Sequence, residues 1–150
     1  MMNKVLCSLL LFLSISCGLQ GRNANYARDS KRIWLDSKEI HHGEYVWKMK
    51  KAGDVISSAE KVSTLGYDTS DWLSAIVPGT VLNSLVYNKE YPEPYYGVNN
   101  KLESGKIPDI SKVGREFYTY WFRTEFDVPE SFAGKTIWLQ PDGVNYRAEI

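Results

Sequence analysis

The stretch that most limits what this chain can fold into is "EFYTYWFRTEFDV", Glu116 to Val128. In its second half Phe122, Phe126 and Val128 fall on one face of an extended chain, and Arg123, Glu125 and Asp127 on the other. That period of two belongs to a β-strand, because a helix would scatter the same residues around its axis. The first half is apolar on both faces, which predicts a strand covered on both sides there. Trp121 is expected in the core for the same reason. Such a strand needs neighbours, and the rest of the sequence supplies candidates.

"YVWKMK" sets Tyr45, Trp47 and Met49 against Val46, Lys48 and Lys50, a strand with one buried face. "WLSAIVPG" reads as a short strand stopped by Pro78 and Gly79. "KTIWLQ" and "VNYRAEI" flank the turn signal Pro141 to Gly143, and their pattern predicts two further strands, with Trp138 in the core. One helix is expected, in "TVLNSLVYNKE" from Thr80 to Glu90. Thr80 is placed to cap it, and Val81, Leu82, Leu85 and Val86 form its apolar stripe. Several strands with one short helix imply an all-β sandwich. Alternation still runs at Ile150, so the polypeptide is expected to continue and the sandwich to be incomplete at its C-terminal end.

The first residues belong to a different kind of segment. Lys4 and the apolar run Val5 to Ser16 have the make-up of an export signal, and the run is shorter than the roughly 20 residues a spanning helix needs. Cys17 follows a small residue, as in the lipobox of bacterial lipoproteins, and is the candidate for lipidation. Ordinary cleavage near Gly18 is the competing reading. The expected organisation is a signal peptide over 1–16, a linker over 17–43 and a sandwich domain over 44–150. Cys7 and Cys17 are the only cysteines, so the exported body carries no disulfide and must be held by its core. The expected location is the periplasm, or the outer membrane or surface of a bacterium, with the membrane touched only through a lipid on Cys17.

Charge argues against nucleic acid as a partner: 18 basic residues balance 18 acidic ones with no basic block. No phosphate-binding glycine loop, dinucleotide motif or Ser-His-Asp arrangement is present. His41-His42 lacks the spaced ligands a metal needs, so neither metal nor cofactor is expected. Aromatic residues make up 13% of the chain, with 5 Trp and 10 Tyr. They suit a β-rich core, and equally a carbohydrate surface, since Tyr and Trp combine a flat apolar face with a polar tip.

Four motifs stand in a familiar order: "GYDTSDWLSAIVPGTVLNSLVYNKEYPEPYYGVNN", "IPDI", "GREFYTYWFRTEFDVP" and "GKTIWLQPDGVNYRAEI". Together, from about Trp47 to Ile150, they resemble the N-terminal sugar-binding domain of glycoside hydrolase family 2. The wording is most like the exo-β-D-glucosaminidases and mannosylglycoprotein endo-β-mannosidases of that family, and more loosely like its β-mannosidases. Pro141 departs from the pattern, which usually has Phe before Asp-Gly. The resemblance implies a jelly-roll, galactose-binding-like sandwich. It also implies an immunoglobulin-like domain and a (β/α)8 barrel further along, the barrel bearing two catalytic glutamates. A barrel needs roughly 250 residues, so no catalytic residue is expected in this chain. Asp109 and Glu116 read instead as solvated or turn residues, and Arg115 with Glu116 as an ion pair or turn contact; for Trp121 and Trp138 a sugar platform is the alternative to the core position that their strands favour.

The resemblance also gives a use to "EYPEPYYGVNN", residues 90 to 100. In the family, loops of the first sandwich help to close the sugar site. Tyr95 and Tyr96 are candidates to stack on a pyranose or pack on the barrel, and Asn99 and Asn100 to bond sugar hydroxyls. Covering a sandwich edge is the plain alternative for the tyrosines. Pro92 and Pro94 lower the entropy lost when the loop is ordered. The expected partner is a glycan of β-linked mannose or glucosamine, and the expected neighbour is the downstream barrel. A free-standing carbohydrate-binding lipoprotein without catalysis is the alternative for the whole chain.

Overall fold

The computed structural model describes residues 4–12, 32–144 and 147–150. Its frame is one antiparallel sheet of β1 (Lys4–Phe12), β2 (Trp47–Lys51), β3 (Leu73–Ser74), β4 (Thr119–Asp127) and β5 (Arg147–Glu149). The strands lie in the order β3-β2-β4-β1-β5. β4 is central, as its sequence requires. It pairs with β2 from Trp47 opposite Thr124 to Lys51 opposite Tyr120. On its other edge it pairs with β1 over its whole length, Lys4 opposite Asp127 and Phe12 opposite Thr119.

β2 follows its alternation. Trp47 and Met49 are buried at 4% and 0% exposure, and Met49 sits opposite Phe122 of β4. Ala75, Leu85 and Tyr120 join them in the core. Each large apolar side chain taken out of water this way contributes about 1.5–3 kcal/mol. The Trp47 ring nitrogen donates to the Leu35 carbonyl at 2.5 Å, so the indole is buried without stranding its donor.

The described residues include three short helices, α1 (Ala59–Val62), α2 (Val81–Tyr87) and α3 (Ile110–Val113). α2 is the helix expected from the sequence, and the Thr80 hydroxyl accepts from the Asn83 N–H at 3.0 Å. Its buried side is Val81, Ser84 and Leu85. Ser84 and Ser37, both fully buried, hold the chain between β3 and α2. The Ser84 hydroxyl accepts from the Ile76 N–H at 2.9 Å, and the Ser37 hydroxyl from the Val77 N–H at 3.1 Å. Asn88, just past α2, covers the outer edge of β3. Its side-chain oxygen accepts from the Ser74 N–H at 3.2 Å, and its side-chain nitrogen donates to the Ser74 carbonyl at 2.7 Å. One amide thereby does for that edge what another strand would do.

Several expectations are revised. The strand begins at Thr119, because a 3-10 turn over Arg115–Tyr118 follows the positive φ of Gly114. Arg123, on the face opposite Phe122, is only 5% exposed, because the end of α1 and the turn after it cover that face. "KTIWLQ" forms no strand, and Trp138, expected in the core, is 84% exposed. The physical reason is β1: it occupies the edge of β4 against which a returning hairpin strand would lie. Lys4–Phe12 is an extended strand in the sheet. Part of the expected linker is also fastened to the fold. Leu35 packs on the core, and the Ser37 N–H donates to the Val77 carbonyl at 2.7 Å. A Cβ at Gly43 would stand 1.3 Å from the Ser37 carbonyl oxygen, so only glycine lets these strands of chain approach.

Candidate functional site

The loop that follows α2 starts from a buried base. Tyr91 packs against the core, and burial pushes its phenol above the usual range, with the charge of Glu90 adding to the effect. Burial likewise pushes up the phenols of Tyr118 and Tyr120, with the Tyr91 oxygen adding to each, and takes Tyr120 up to about 12. These hydroxyls are neutral at physiological pH and belong to the loop's foundation.

Above that base, Pro92 and Pro94 fix two backbone torsions, and the chain then winds through successive turns. The Tyr96 N–H donates to the Glu93 carbonyl at 3.2 Å, Asn99 to Tyr96 at 3.2 Å and Lys101 to Val98 at 3.0 Å. Gly97 takes a φ of 59°, a left-handed turn that a side chain would oppose. Asn99 is the fastener. It is 6% exposed, its side-chain nitrogen donates to the Glu93 carbonyl at 2.9 Å, and its side-chain oxygen accepts from Lys106 Nζ at 3.0 Å. Its backbone carbonyl accepts from the Ser104 hydroxyl at 3.0 Å. A loop without regular structure is thereby held at its neck by side-chain bonds.

The outside of the loop carries the opposite character. Tyr95 and Tyr96 are 74% and 77% exposed, Val98 and Leu102 are 50% and 67% exposed, and Asn100 is also on the surface. Tyr95 and Tyr96 therefore cover no edge of the described fold. Of the residues that sequence reasoning offered for carbohydrate contact, Tyr95, Tyr96 and Asn100 face outward, while Asn99 turns inward. Lys106 and Ser104 were not singled out. The only signal for them was a pair of polar residues shortly after two asparagines, which fits countless surface loops.

The remaining candidates sort simply. Cys17 lies outside the described residues. His41 and His42 are exposed, with their rings edge to face at 5.3 Å. Among the described residues no group of three His, Cys, Asp or Glu side chains is placed to hold a metal ion. Asp109 caps α3 by accepting from the Ser111 N–H at 3.0 Å, and this bonding with Ser111 lowers its carboxyl pKa. Trp121 is partly buried on β4.

Arg123 is the other polar cluster. Its Nε donates to the Val62 carbonyl at 3.0 Å and its guanidinium nitrogen to the Thr64 carbonyl at 2.7 Å. It is ion-paired with Glu125, which also accepts from the Gly66 N–H at 2.7 Å. The guanidinium carbon lies 5.7 Å from the centre of the Tyr67 ring. A shallow cleft of about 480 Å³ opens beside it, bordered by Lys48, Asp68 and Ser70. Apart from the pair with Glu125, the arginine's donors go to the end of α1 and the turn after it, so its work is to pin that stretch to β4.

Residues 47–150 match a family described as the glycosyl hydrolase 2 galactose-binding domain-like family. A mannosylglycoprotein endo-beta-mannosidase of Lilium longiflorum is 42% identical over 82 residues, which is 55% of this chain and 8% of that protein. An exo-beta-D-glucosaminidase of Streptomyces avermitilis is 29% identical over 105 residues, covering 69% of this chain and 10% of that protein. The chain therefore spans only a small part of the length of the curated relatives it matches. No solved structure gives a significant match.

Proposed function

The chain belongs to the glycosyl hydrolase 2 galactose-binding domain-like family, and from that premise we propose that it is the N-terminal carbohydrate-binding and supporting domain of an exported glycosidase acting on β-mannosides or β-glucosaminides. Fold and family stand on the match and on the antiparallel sheet. The observation that carries the carbohydrate reading is the exposed pair Tyr95–Tyr96 on a loop closed by Asn99. Two phenol rings kept in water by a fixed loop are a standing cost unless something covers them. A pyranose presents axial C–H groups as an apolar face and hydroxyls at its rim. A tyrosine ring meets the face, and its hydroxyl and the Asn100 amide meet the rim. Because the loop is fastened beforehand, little entropy is lost on binding.

In this reading the bond-breaking carboxylates belong to a downstream barrel, and the domain supports that barrel while its loop borders the sugar site. The relatives' names supply the sugar classes: one is a mannosidase, the other a glucosaminidase. Export rests on Lys4 and the apolar run after it, and Cys17 is the proposed point of lipid attachment at the bacterial periplasm or surface. Mass spectrometry of the membrane fraction tests the lipid.

Saturation-transfer NMR of the chain with β-linked mannose and glucosamine oligosaccharides tests the binding role. Transfer to sugar C–H protons that disappears in Tyr95→Ala/Tyr96→Ala supports the reading. Transfer that survives in the double variant removes this loop from carbohydrate contact.

A further inference from the structure

We propose that β1 and residues 135–140 are alternative occupants of one position in the sheet, so that the N-terminal strand holds a place that the later segment takes when β1 leaves. The inference rests on strand directions and does not depend on the carbohydrate reading.

β1 is antiparallel to β4 along all of β4, and it is antiparallel to β5, with Leu10 opposite Glu149 and Phe12 opposite Arg147. β4 and β5 therefore run parallel to each other with one strand between them. In the sequence the segment between β4 and β5 is "KTIWLQ", bounded by the turn before Lys135 and by Pro141 to Gly143. Strands joined by short turns pair with their sequence neighbours in alternating direction. A meander of β4, residues 135–140 and β5 would leave β4 and β5 parallel with one strand between them. β1 fills that gap.

The displaced segment shows the matching signs. Ile137, Trp138 and Leu139 are 45%, 84% and 46% exposed. Among the described residues, the backbone groups from 136 to 143 make no hydrogen bond. Apolar strand-forming residues with unsatisfied backbone gain both burial and ladder bonds on entering a sheet. Gly134, at a φ of 72°, already turns the chain back after the 3-10 turn Glu130–Phe132. Loss of β1, as cleavage of an export signal would cause, then leaves no open edge on β4. Conversely, while β1 is paired, its backbone is bonded along β4 and, over Leu10 to Phe12, along β5 as well.

Hydrogen exchange on the full chain tests this with Leu9→Pro, Trp138→Pro and the double variant. Proline removes a ladder donor and excludes its segment from an interior strand. In the unmodified chain, amides 4–12 should be protected and amides 136–139 should exchange fast. Leu9→Pro should slow exchange at 136–139 by about tenfold or more while β4 stays protected. Trp138→Pro alone should match the unmodified chain, and the double variant should lose protection in β4. If Leu9→Pro leaves 136–139 fast, or unfolds so that 47–51 lose protection, the second occupant does not substitute and the proposal fails. It also fails if Trp138→Pro alone deprotects β4.

Discussion

Asn99 reaches back to Glu93: its side-chain nitrogen donates to the Glu93 carbonyl at 2.9 Å, and the exposed tyrosines lie on the span those two residues close. The amide is a fastener whose loss should be felt by groups it does not touch. Asn99→Ala removes the side-chain bonds to the Glu93 carbonyl and from the Lys106 ammonium, while the Tyr96 N–H still reaches Glu93 and water reaches Lys106, a local cost of about 1 kcal/mol. Amides 96–104 should exchange faster by hydrogen-exchange mass spectrometry, while those of β2 are unchanged. Asn99→Asp keeps an acceptor for Lys106 but faces the Glu93 carbonyl with charge, and should fall between.

Arg123 is buried with its donors on Val62, Thr64 and Glu125. Arg123→Met takes the donor from the buried Val62 carbonyl and from the Thr64 carbonyl and breaks the ion pair with Glu125, which keeps the Gly66 N–H, and should destabilise the chain by about 3 kcal/mol in urea. Arg123→Lys should recover little of this, because a single ammonium cannot reproduce the planar fork.

Lys89 follows α2 at a φ of 63°, where its N–H donates to the Val86 carbonyl at 2.9 Å. That left-handed position after a helix suits glycine. Lys89→Gly removes the Cβ strain at some entropic cost and should raise stability by about 0.5–1 kcal/mol, seen as a higher melting temperature.

Tyr120 is held near 12 by burial, against 10.0 in the unfolded chain. Its folded pKa is raised, so its contribution is complete below pH 10 and is lost as pH rises toward 12. The unfolding free energy should fall over that window by about 2 kcal/mol from this residue. In Tyr120→Phe the fall should be shallower, which denaturant titrations at pH 9 and about 11 would show.

The parts of the fold that could be read from sequence are those where one residue's neighbours along the chain set its fate. The alternation at Trp47 and Met49 and the Thr80 cap describe local geometry, and the structure agrees with both, while of the expected stripe on α2 Val81 and Leu85 are buried and Leu82 and Val86 half-buried. Arg123 escaped that reasoning because its burial is set by carbonyls about sixty residues earlier in the chain. Trp138 escaped it because its strand partner's edge is taken by β1, a competition between distant segments. At the loop, Tyr95, Tyr96 and Asn100 looked alike in sequence with Asn99. Only the turn at Gly97 and the position of Lys106 decide which amide is buried.

The central claim is that Tyr95 and Tyr96 meet carbohydrate. Its most direct measurement is kcat/KM of the proposed full-length enzyme and its Tyr95→Ala/Tyr96→Ala variant on a β-mannoside and a β-glucosaminide. Removing both rings should lower kcat/KM on the true substrate by about tenfold or more, at roughly 1 kcal/mol per ring. The unfolding midpoint should stay where it was. Unchanged kcat/KM on both substrates, or a loss that merely tracks a lower unfolding midpoint, would contradict the account.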